Sequence, residues 1–189
     1  LLTEYERDVI RPHALGRFED LLVATAKSPA MLFYLDNWLS VGPDSDLARG
    51  VMQHAPHKRR SHVRPRPVAG KGKKKSNGLN ENYGRELMEL HTLSVNGGYT
   101  QADVTEVAKV FTGWTLAEPR KGGGFKFEPA MHEPGDKVVL GHRIKENGEK
   151  EGMQVLRMLA RDPRTARFIS LKLATRFVSD EPPQALVDR

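Results

Sequence analysis

The stretch Gly78-Leu-Asn-Glu-Asn-Tyr-Gly-Arg-Glu-Leu-Met-Glu-Leu-His-Thr-Leu93 constrains the fold more than any other, because its periodicity predicts one helix with two unlike faces. Asn80 is a suitable N-cap for this motif helix. At about 100° per residue, one arc of roughly 100° collects an amide, a guanidinium and two carboxylates: Asn82, Arg85, Glu86 and Glu89. The packing face carries Tyr83, Leu87 and Leu90. We call the charged arc the polar stripe, and it indicates either a buried polar network or one wall of a site.

The two glutamates of the polar stripe suit a divalent metal ion. Glu86 and Glu89 are spaced i, i+3, so both carboxylates can converge on one hard cation, and Arg85 could orient an anionic substrate group. His91 follows Glu89 by two residues, about 200° around the helix, so it cannot share that ion unless the helix distorts. The alternative is structural: Arg85 pairs with Glu89, and with Glu81 or Glu86, and ties the helix to its neighbours.

Two other polar segments could complete such a pocket. Asp36-Asn37 ends the helix before the motif helix, so a hairpin would bring both side chains towards Asn82; alternatively they only cap helix ends. His132 lies beside Glu133 in an irregular segment, where it could act as a general base or a metal ligand, although a lone loop histidine is more often solvated. The sequence therefore predicts metal ligands at Glu86, Glu89 and Asp36, catalytic roles for Arg85 and His132, and supporting roles for Asn37, Asn82 and His91.

Charge is distributed unevenly along the 189 residues. The net charge is +6, yet residues 49–75 carry ten lysines and arginines and no acid, which leaves 20 basic and 24 acidic residues elsewhere. This run predicts a flexible basic insertion over residues 42–78, whose partner would be an anionic polymer or a membrane surface. The insertion contains no Phe, Tyr or Trp to stack on bases, which argues against specific nucleic-acid binding.

Composition excludes several classes of site. The chain has no cysteine, which excludes disulfides, thiolate nucleophiles and zinc–thiolate centres. No apolar run approaches the roughly 18 residues that predict a transmembrane helix. No serine lies in a nucleophile elbow, and no glycine cluster precedes a helix as in a phosphate-binding loop.

Helical spacing covers most of the remaining chain. Capping and proline signals predict helices over residues 3–12, 16–27, 28–39, 100–114 and 149–161. Asp162-Pro163 begins another, which should reach Val178 with these side chains in the core: Phe168, Ile169, Leu171, Leu173 and Phe177. Around 117–147 the pattern breaks, and Phe125–Phe127 is expected to pair with Lys137–Leu140 as short strands. The predicted fold is mainly α, with a short β or loop excursion: a single helical domain over 1–189 or a fragment of a larger one.

The motif helix also carries a family resemblance. The run Asn80–Leu93, together with Gly97-Gly-Tyr-Thr-Gln-Ala-Asp-Val104 and Phe111-Thr-Gly-Trp114, closely resembles a large bacterial family catalogued only as domain of unknown function 1800. Three further segments are similar to its pattern: Tyr34–Asn37, Arg167–Ile169 and Phe177–Ser179. The resemblance covers most of the chain outside residues 41–77, a region that looks variable in length in the family.

The resemblance implies context but names no reaction. It implies that the chain is the central part of a longer domain, and that the protein is periplasmic or secreted, because similar proteins are often exported. The family tends to have a His-Asp pair where this chain has His132-Glu133, so the carboxylate is kept and its side chain is one methylene longer.

Three functional hypotheses follow. The first is an exported protein with a carboxylate-rich pocket, formed by the polar stripe with Asp36 and His132, acting as a metal-dependent hydrolase or oxidoreductase. The second is a non-catalytic helical scaffold or partner-binding module, in which the polar stripe only fixes helix packing. The third is polyanion binding through residues 49–75. Convergence of the stripe glutamates with Asp36 or His132 on an open cavity would favour the first, and their saturation by Arg85 and backbone donors would favour the second.

Overall fold

A computed structural model describes residues 2–50, 78–119 and 123–188, and these are mainly helical, as predicted. The α-helices are α1 (Leu2–Glu4), α2 (Arg11–His13), α3 (Phe18–Ala26), α4 (Pro29–Tyr34), α5 (Asn82–Glu86), α6 (Gln101–Val110), α7 (Glu149–Ala160), α8 (Pro163–Phe177) and α9 (Gln184–Val187). Tyr5–Ile10 and Leu87–Thr92 are π-helical, and Asn37–Leu39 and Pro129–Met131 are 3-10 turns. The strands are β1 (Trp114–Leu116), β2 (Phe125–Phe127), β3 (Lys137–Val139) and β4 (His142–Ile144). No helix in these ranges has the length and apolar character needed to cross a bilayer.

Side-chain caps set the start of three helices at the predicted positions. The Ser28 hydroxyl accepts the Ala30 N–H at 3.3 Å before α4, and the Asp162 carboxylate accepts the Arg164 N–H at 2.8 Å before α8. Thr100 opens α6 with a capping box, in which its side chain and that of Asp103 accept each other's backbone N–H groups. Each cap satisfies donors that the first helical turn leaves unpaired.

The motif helix starts one residue later than predicted, with Glu81 and not Asn80 at the N-cap position, and then widens. Asn80 Oδ1 accepts the N–H of Asn82 at 2.9 Å, and α5 continues into the π-helical segment Leu87–Thr92. A π-turn displaces backbone carbonyls from their usual partners, and two side chains of the segment compensate. His91 Nδ1 donates to the Glu86 carbonyl at 2.8 Å, and the Thr92 hydroxyl donates to the Leu87 carbonyl at 2.7 Å.

The core lies where α3, α5, α6 and α7 meet the β1–β2 hairpin. Phe111 and Trp114 pack edge to face with ring centroids 4.9 Å apart, and Phe111 also contacts Tyr83 at 5.1 Å. A Cβ at Gly84 would lie 3.1 Å from the Val104 carbonyl oxygen, so glycine permits the close approach of α5 to α6. The largest fully buried apolar residues include Leu32, Met88, Leu93, Val104, Val107, Phe111, Trp114, Ile144, Leu156 and Leu159.

The strands of the excursion pair differently from the prediction. β1 pairs with β2 and β3 pairs with β4, both antiparallel, so the expected pairing of Phe125–Phe127 with Lys137–Leu140 is wrong. Each strand pairs with a neighbour in sequence, so each hairpin closes a shorter loop than the predicted pairing would have. Closing a shorter loop costs less chain entropy. The helix predicted to reach Trp114 ends at Val110, because Gly113 takes a left-handed conformation (φ +82°) and turns the chain into β1.

Helix α8 departs most from the predicted core. Leu171, Leu173 and Phe177 were expected to be buried but are 44%, 53% and 79% exposed, and Phe168 and Ile169 are only half-buried. The fully buried positions of α8 are Thr165 and Ala174. The helix touches α7, α9 and the π-helical segment along a narrow strip, so no described element covers most of its apolar residues.

Most of the predicted basic insertion, residues 51–77, lies outside the described residues. The part that precedes it, residues 42–50, is held against the segment at 130–133. Gly42 N–H donates to the Met131 carbonyl at 2.9 Å, Leu47 N–H donates to the Ala130 carbonyl at 2.8 Å, and Asp44 N–H donates to the Glu133 carboxylate at 2.8 Å. Residues 42–50 therefore belong to the folded body.

Candidate functional site

The polar stripe lies at the protein surface. Asn82 is exposed, and Arg85, Glu86 and Glu89 are half-buried. Within residues 2–50, 78–119 and 123–188, the side-chain carboxylates of Glu86 and Glu89 have no hydrogen-bond or ion-pair partner. Both carboxylates lie near Tyr99, where burial raises the pKa of the phenol and the two negative charges raise it further. The stripe glutamates are thus neither saturated by Arg85 nor enclosed.

Arg85 instead belongs to a small network between α5 and α6. It donates to Gln101 Oε1 at 2.8 Å and lies 3.4 Å from Glu81 Oε2, which also accepts from Gln101 Nε2 at 2.7 Å. The Thr105 hydroxyl donates to Glu81 Oε1 at 2.6 Å. This bond holds the pKa of Glu81 below its ordinary value against the effect of burial, with further help from Gln101 and Arg85. The Arg85–Glu81 pairing is one that the structural alternative predicted.

Asp36 and Asn37 have separate environments. Asp36 is exposed in a left-handed turn (φ 55°). Asn37 is fully buried, and its amide donates to the Phe111 carbonyl at 3.0 Å and the Trp114 carbonyl at 2.9 Å. Asn37 therefore caps the end of α6 and joins it to β1, which matches the capping alternative.

The predicted pocket residues do not converge. The partners of His132 are Thr112, after α6, and Glu151, in the first turn of α7, whereas His91 bonds to the backbone of its own helix. In the part of the chain that the structure describes, no group of three or more His, Asp or Glu side chains could hold a metal ion.

Charged side chains do converge inside the excursion, around His132. Its Nδ1 lies 2.8 Å from the Thr112 carbonyl, and its Nε2 lies 3.0 Å from Glu151 Oε1. Lys137 Nζ lies 2.8 Å from Glu151 Oε2 and donates to the Glu133 carbonyl at 2.5 Å. His132 is 8% exposed, Lys137 1% and Glu151 0%. We call His132, Lys137 and Glu151 the buried charge cluster.

Hydrogen bonds hold this cluster together. His132 Nε2 lies 3.0 Å from Glu151 Oε1 and 3.4 Å from Lys137 Nζ. Glu151 Oε1 also accepts the N–H groups of Asn147 (2.8 Å) and Gly148 (3.0 Å). Burial raises the pKa of Glu151, but the bonds from His132, Lys137 and the Asn147 N–H outweigh it, so the pKa lies below its ordinary value. The contacts of the cluster tie the loop at residue 132, β3 and the start of α7 to one another.

Sequence reasoning identified one member of this cluster, His132, and missed Lys137 and Glu151. Lys137 was assigned only to a strand, and Glu151 only to the first turns of a helix. A signal for Glu151 exists, since it stands three residues after Gly148 and its carboxylate reaches back to the Gly148 N–H, as in a capping box. No comparable local signal marks Lys137 as buried.

A second unusual surface is the apolar face of α8, formed by Phe168, Leu171 and Val178, which lie within about 80° of one another around the helix axis. Leu171 is 44% and Val178 60% exposed, and the exposed Leu173 (53%) and Phe177 (79%) lie on another side of the helix. Residues 163–177 contain four basic residues and no acid: Arg164, Arg167, Lys172 and Arg176. Arg164 pairs with Asp162 and Arg167 with Asp188. Lys172 lies over the Phe168 ring at 4.7 Å, and neither it nor Arg176 has a carboxylate partner among the described residues.

A groove runs beside this face, between α8 and residues 93–97. Its volume is about 360 Å³, and its walls include Leu93, Phe168 and Leu171, with Arg164 and Arg167 at its edge. Arg164 fixes the position of the loop, because its guanidinium donates to the Gly97 carbonyl at 2.7 Å. The apolar face of α8 is therefore next to a shaped depression.

Comparison with known proteins identifies a family and no characterised relative. No curated protein and no solved structure matches the chain. The family described as "Protein of unknown function (DUF1800)" matches residues 1–189, which include the motif helix, the buried charge cluster and α8. The chain belongs to the DUF1800 family.

Proposed function

We propose that this protein is a partner-binding module whose recognition surface is the apolar face of α8 with its adjoining groove. The observation that carries the proposal is the exposure of Leu171 and Val178 on the same side of α8 as the groove, on a helix that is otherwise docked on the fold. Monomeric proteins seldom expose contiguous large apolar patches without a binding role. Covering such side chains is favourable by about 25 cal/mol for each Å² of apolar surface removed from water.

The charges of α8 define the chemistry of the partner. Lys172 and Arg176 lie among the exposed apolar residues and lack carboxylate partners in the described part of the chain. A complementary partner would offer carboxylates beside an apolar ridge. An amphipathic protein helix with Leu or Phe on one face and Glu or Asp at its margins satisfies both requirements.

The groove favours a protein segment over a flat membrane surface. A depression of about 360 Å³ between Leu93 and Phe168 can receive one large apolar side chain of the partner. Arg167 stands at its edge, exposed and paired with Asp188, so it can exchange that carboxylate for one of the partner's. An exposed pair of this kind is worth little by itself, and the exchange costs little.

The test uses a synthetic peptide as a defined probe, because the proposal specifies the chemistry of the partner and not its identity. A fluorescent 18-residue amphipathic peptide with a leucine ridge flanked by glutamates is titrated with the full chain, and a peptide with lysines in place of the glutamates is the control. We expect the acidic peptide alone to bind, and added salt to weaken it. Leu171→Asp/Val178→Asp should weaken binding at least tenfold, which is about 1.4 kcal/mol.

Val138→Asp is the matched control, since Val138 is 53% exposed, between Leu171 (44%) and Val178 (60%), and lies on β3. Equal binding of the two peptides, or unchanged binding by the α8 variant, would overturn the proposal. Two other results would also overturn it: the protein forms concentration-dependent dimers in sedimentation, or it binds anionic vesicles. Either result counts if the α8 variant abolishes the association and the acidic peptide does not compete with it. Those results would assign the face to a second copy or to a lipid surface.

A further inference from the structure

An open pocket beside the buried charge cluster is a candidate binding site, independent of α8. Its volume is about 330 Å³, within the range of small-molecule sites. Four segments line it, through Asp46, Phe127, Pro129, His132, Pro134 and Glu146. None of its described lining residues is Lys or Arg, although the chain as a whole carries a net charge of +6.

The walls of this pocket are held by hydrogen bonds rather than left to loop motion. The turn that carries Asp46 is fixed by the bond from Leu47 N–H to the Ala130 carbonyl. On the opposite side, Glu146 N–H donates to Asp136 Oδ1 at 2.9 Å. The His132 ring also lines the pocket, and its hydrogen bonds with Thr112 and Glu151 fix its position. A site that keeps its shape without a ligand loses less entropy on binding.

Two carboxylates dominate the electrostatics of the pocket. Next to it, the Lys137 ammonium pairs with the Glu151 carboxylate (Nζ–Oε2 2.8 Å), and both side chains are buried. Asp46 and Glu146 are the acidic residues that line the pocket itself. Neither has a hydrogen-bond or ion-pair partner for its side chain in the ranges that the structure describes.

The apolar part of the lining suits an organic group. The Phe127 ring packs edge-on against His132 with centroids 5.4 Å apart. A Cβ at position 148 would lie 3.3 Å from the Phe127 ring, so Gly148 leaves that ring uncrowded. An aromatic face attracts cations within about 6 Å of its centre. The two prolines add apolar contact for the body of a ligand.

We infer that this pocket binds a small organic cation, an ammonium or guanidinium group whose charge pairs with Asp46 and Glu146 and whose apolar part contacts Phe127. A divalent metal ion fits less well, since Ca²⁺ takes six to eight oxygen ligands and the described lining offers two carboxylates. The cation could be a free amine or the Lys or Arg side chain of a peptide. Both present the same chemistry to the pocket.

The test is calorimetric titration of the full chain in phosphate buffer, which avoids amine buffers that would compete. Argininamide and tetramethylammonium are the free-cation probes, and acetyl-Gly-Arg-Gly-amide is the peptide probe. We expect saturable binding of a cation that is reduced at least tenfold in Asp46→Asn/Glu146→Gln and weakened in Phe127→Leu. Tighter binding of the peptide than of argininamide would identify a side chain as the source, and the reverse would identify a free amine.

The matched control is Asp44→Asn/Glu149→Gln, which removes two carboxylates that do not line the pocket and are paired with Arg49 and Lys27. This control should bind as the unaltered protein does. Equal losses in the two double variants would show a general charge effect and overturn the inference. Absence of binding at millimolar probe concentration, or displacement of the cation by stoichiometric Ca²⁺ or Mn²⁺, would overturn it as well.

Discussion

The polar stripe of the motif helix and the buried charge cluster of the excursion contain similar side chains in opposite situations. In the stripe, Glu86 and Glu89 are half-buried and have no described partner. In the cluster, the carboxylate oxygens of Glu151 lie within 3.0 Å of His132 Nε2, Lys137 Nζ and two backbone N–H groups, and the residue is inaccessible to solvent. Helical periodicity drew attention to the stripe, whereas tertiary contacts between loops create the cluster.

The difference shows what periodicity can and cannot indicate. It establishes which side chains share one face of a helix. It does not establish whether another element covers that face, which depends on residues distant in sequence. Glu151 is buried because residues 132 and 137, one in a loop and one in a strand, turn their side chains onto the first turn of α7. The comparison predicts a steep gradient of mutational effects from the cluster to the stripe.

The largest effect is expected for Glu151→Gln. The amide is nearly isosteric, but it removes the negative charge that pairs with the buried Lys137 ammonium, and breaking a buried ion pair by removing one partner typically costs about 3–5 kcal/mol. Urea denaturation at pH 7 measures the loss. Glu149 lies two residues earlier in α7 and pairs with Lys27 at a part-exposed site, so Glu149→Gln should lower the free energy of unfolding by less than about 1 kcal/mol. If the two variants were equally stable, the cluster would not be the anchor of the excursion.

A smaller but substantial effect is expected for Asn37→Ala. The substitution leaves the Phe111 and Trp114 carbonyls buried without the amide that binds both, and each unsatisfied buried group costs about 1–3 kcal/mol. We therefore expect a loss of about 2–4 kcal/mol in the free energy of unfolding. Asn82→Ala, which removes an exposed amide, is the control and should change stability by less than about 0.5 kcal/mol. Equal effects at the two positions would place Asn37 outside the core.

Acid should erode the stability of the cluster in a defined direction. The pKa of Glu151 in the folded protein lies below its ordinary value of 4.5, so its contribution is complete above about pH 4.5 and is lost as the pH falls through the folded value. The stability difference between the unaltered protein and Glu151→Gln should therefore shrink between pH 5 and pH 3, where denaturation is followed by circular dichroism. A difference that stayed constant over this range would show that Glu151 is not the titrating group.

The sequence predicted local structure well because caps, prolines and periodicity are local signals. Ser28-Pro29, Thr100 and Asp162-Pro163 begin helices where they were expected to. Strand pairing was less accessible, since the sequence marked Phe125–Phe127 and Lys137–Leu140 as β-formers without indicating that Trp114–Leu116 and His142–Ile144 were their partners.

Burial on α8 could not be predicted from its sequence. Phe168, Leu171 and Val178 share one face of the helix, which is the pattern of a core-facing helix and also that of a helix whose face binds a partner, whereas Leu173 and Phe177 lie on another side. The candidate sites were equally indirect: His132 was identified because a loop histidine beside a carboxylate is conspicuous. Asp46 and Glu146, which are 100 residues apart, gave no sign in the sequence that they line one pocket.

The smallest effect is expected for Glu86→Ala/Glu89→Ala. Neither carboxylate has a described partner, and the Arg85 network uses Glu81 instead, so the free energy of unfolding should change by less than about 0.5 kcal/mol. The variant also tests the metal hypothesis, because carboxylates that hold no ion repel each other and removing them costs nothing. Elemental analysis of the full chain, purified without a metal-binding tag, is compared between the unaltered protein and this variant. Stoichiometric metal that disappears in the variant, or a loss of more than about 1.5 kcal/mol in the free energy of unfolding, would contradict this prediction. The polar stripe, and not only the buried charge cluster, would then be a functional centre.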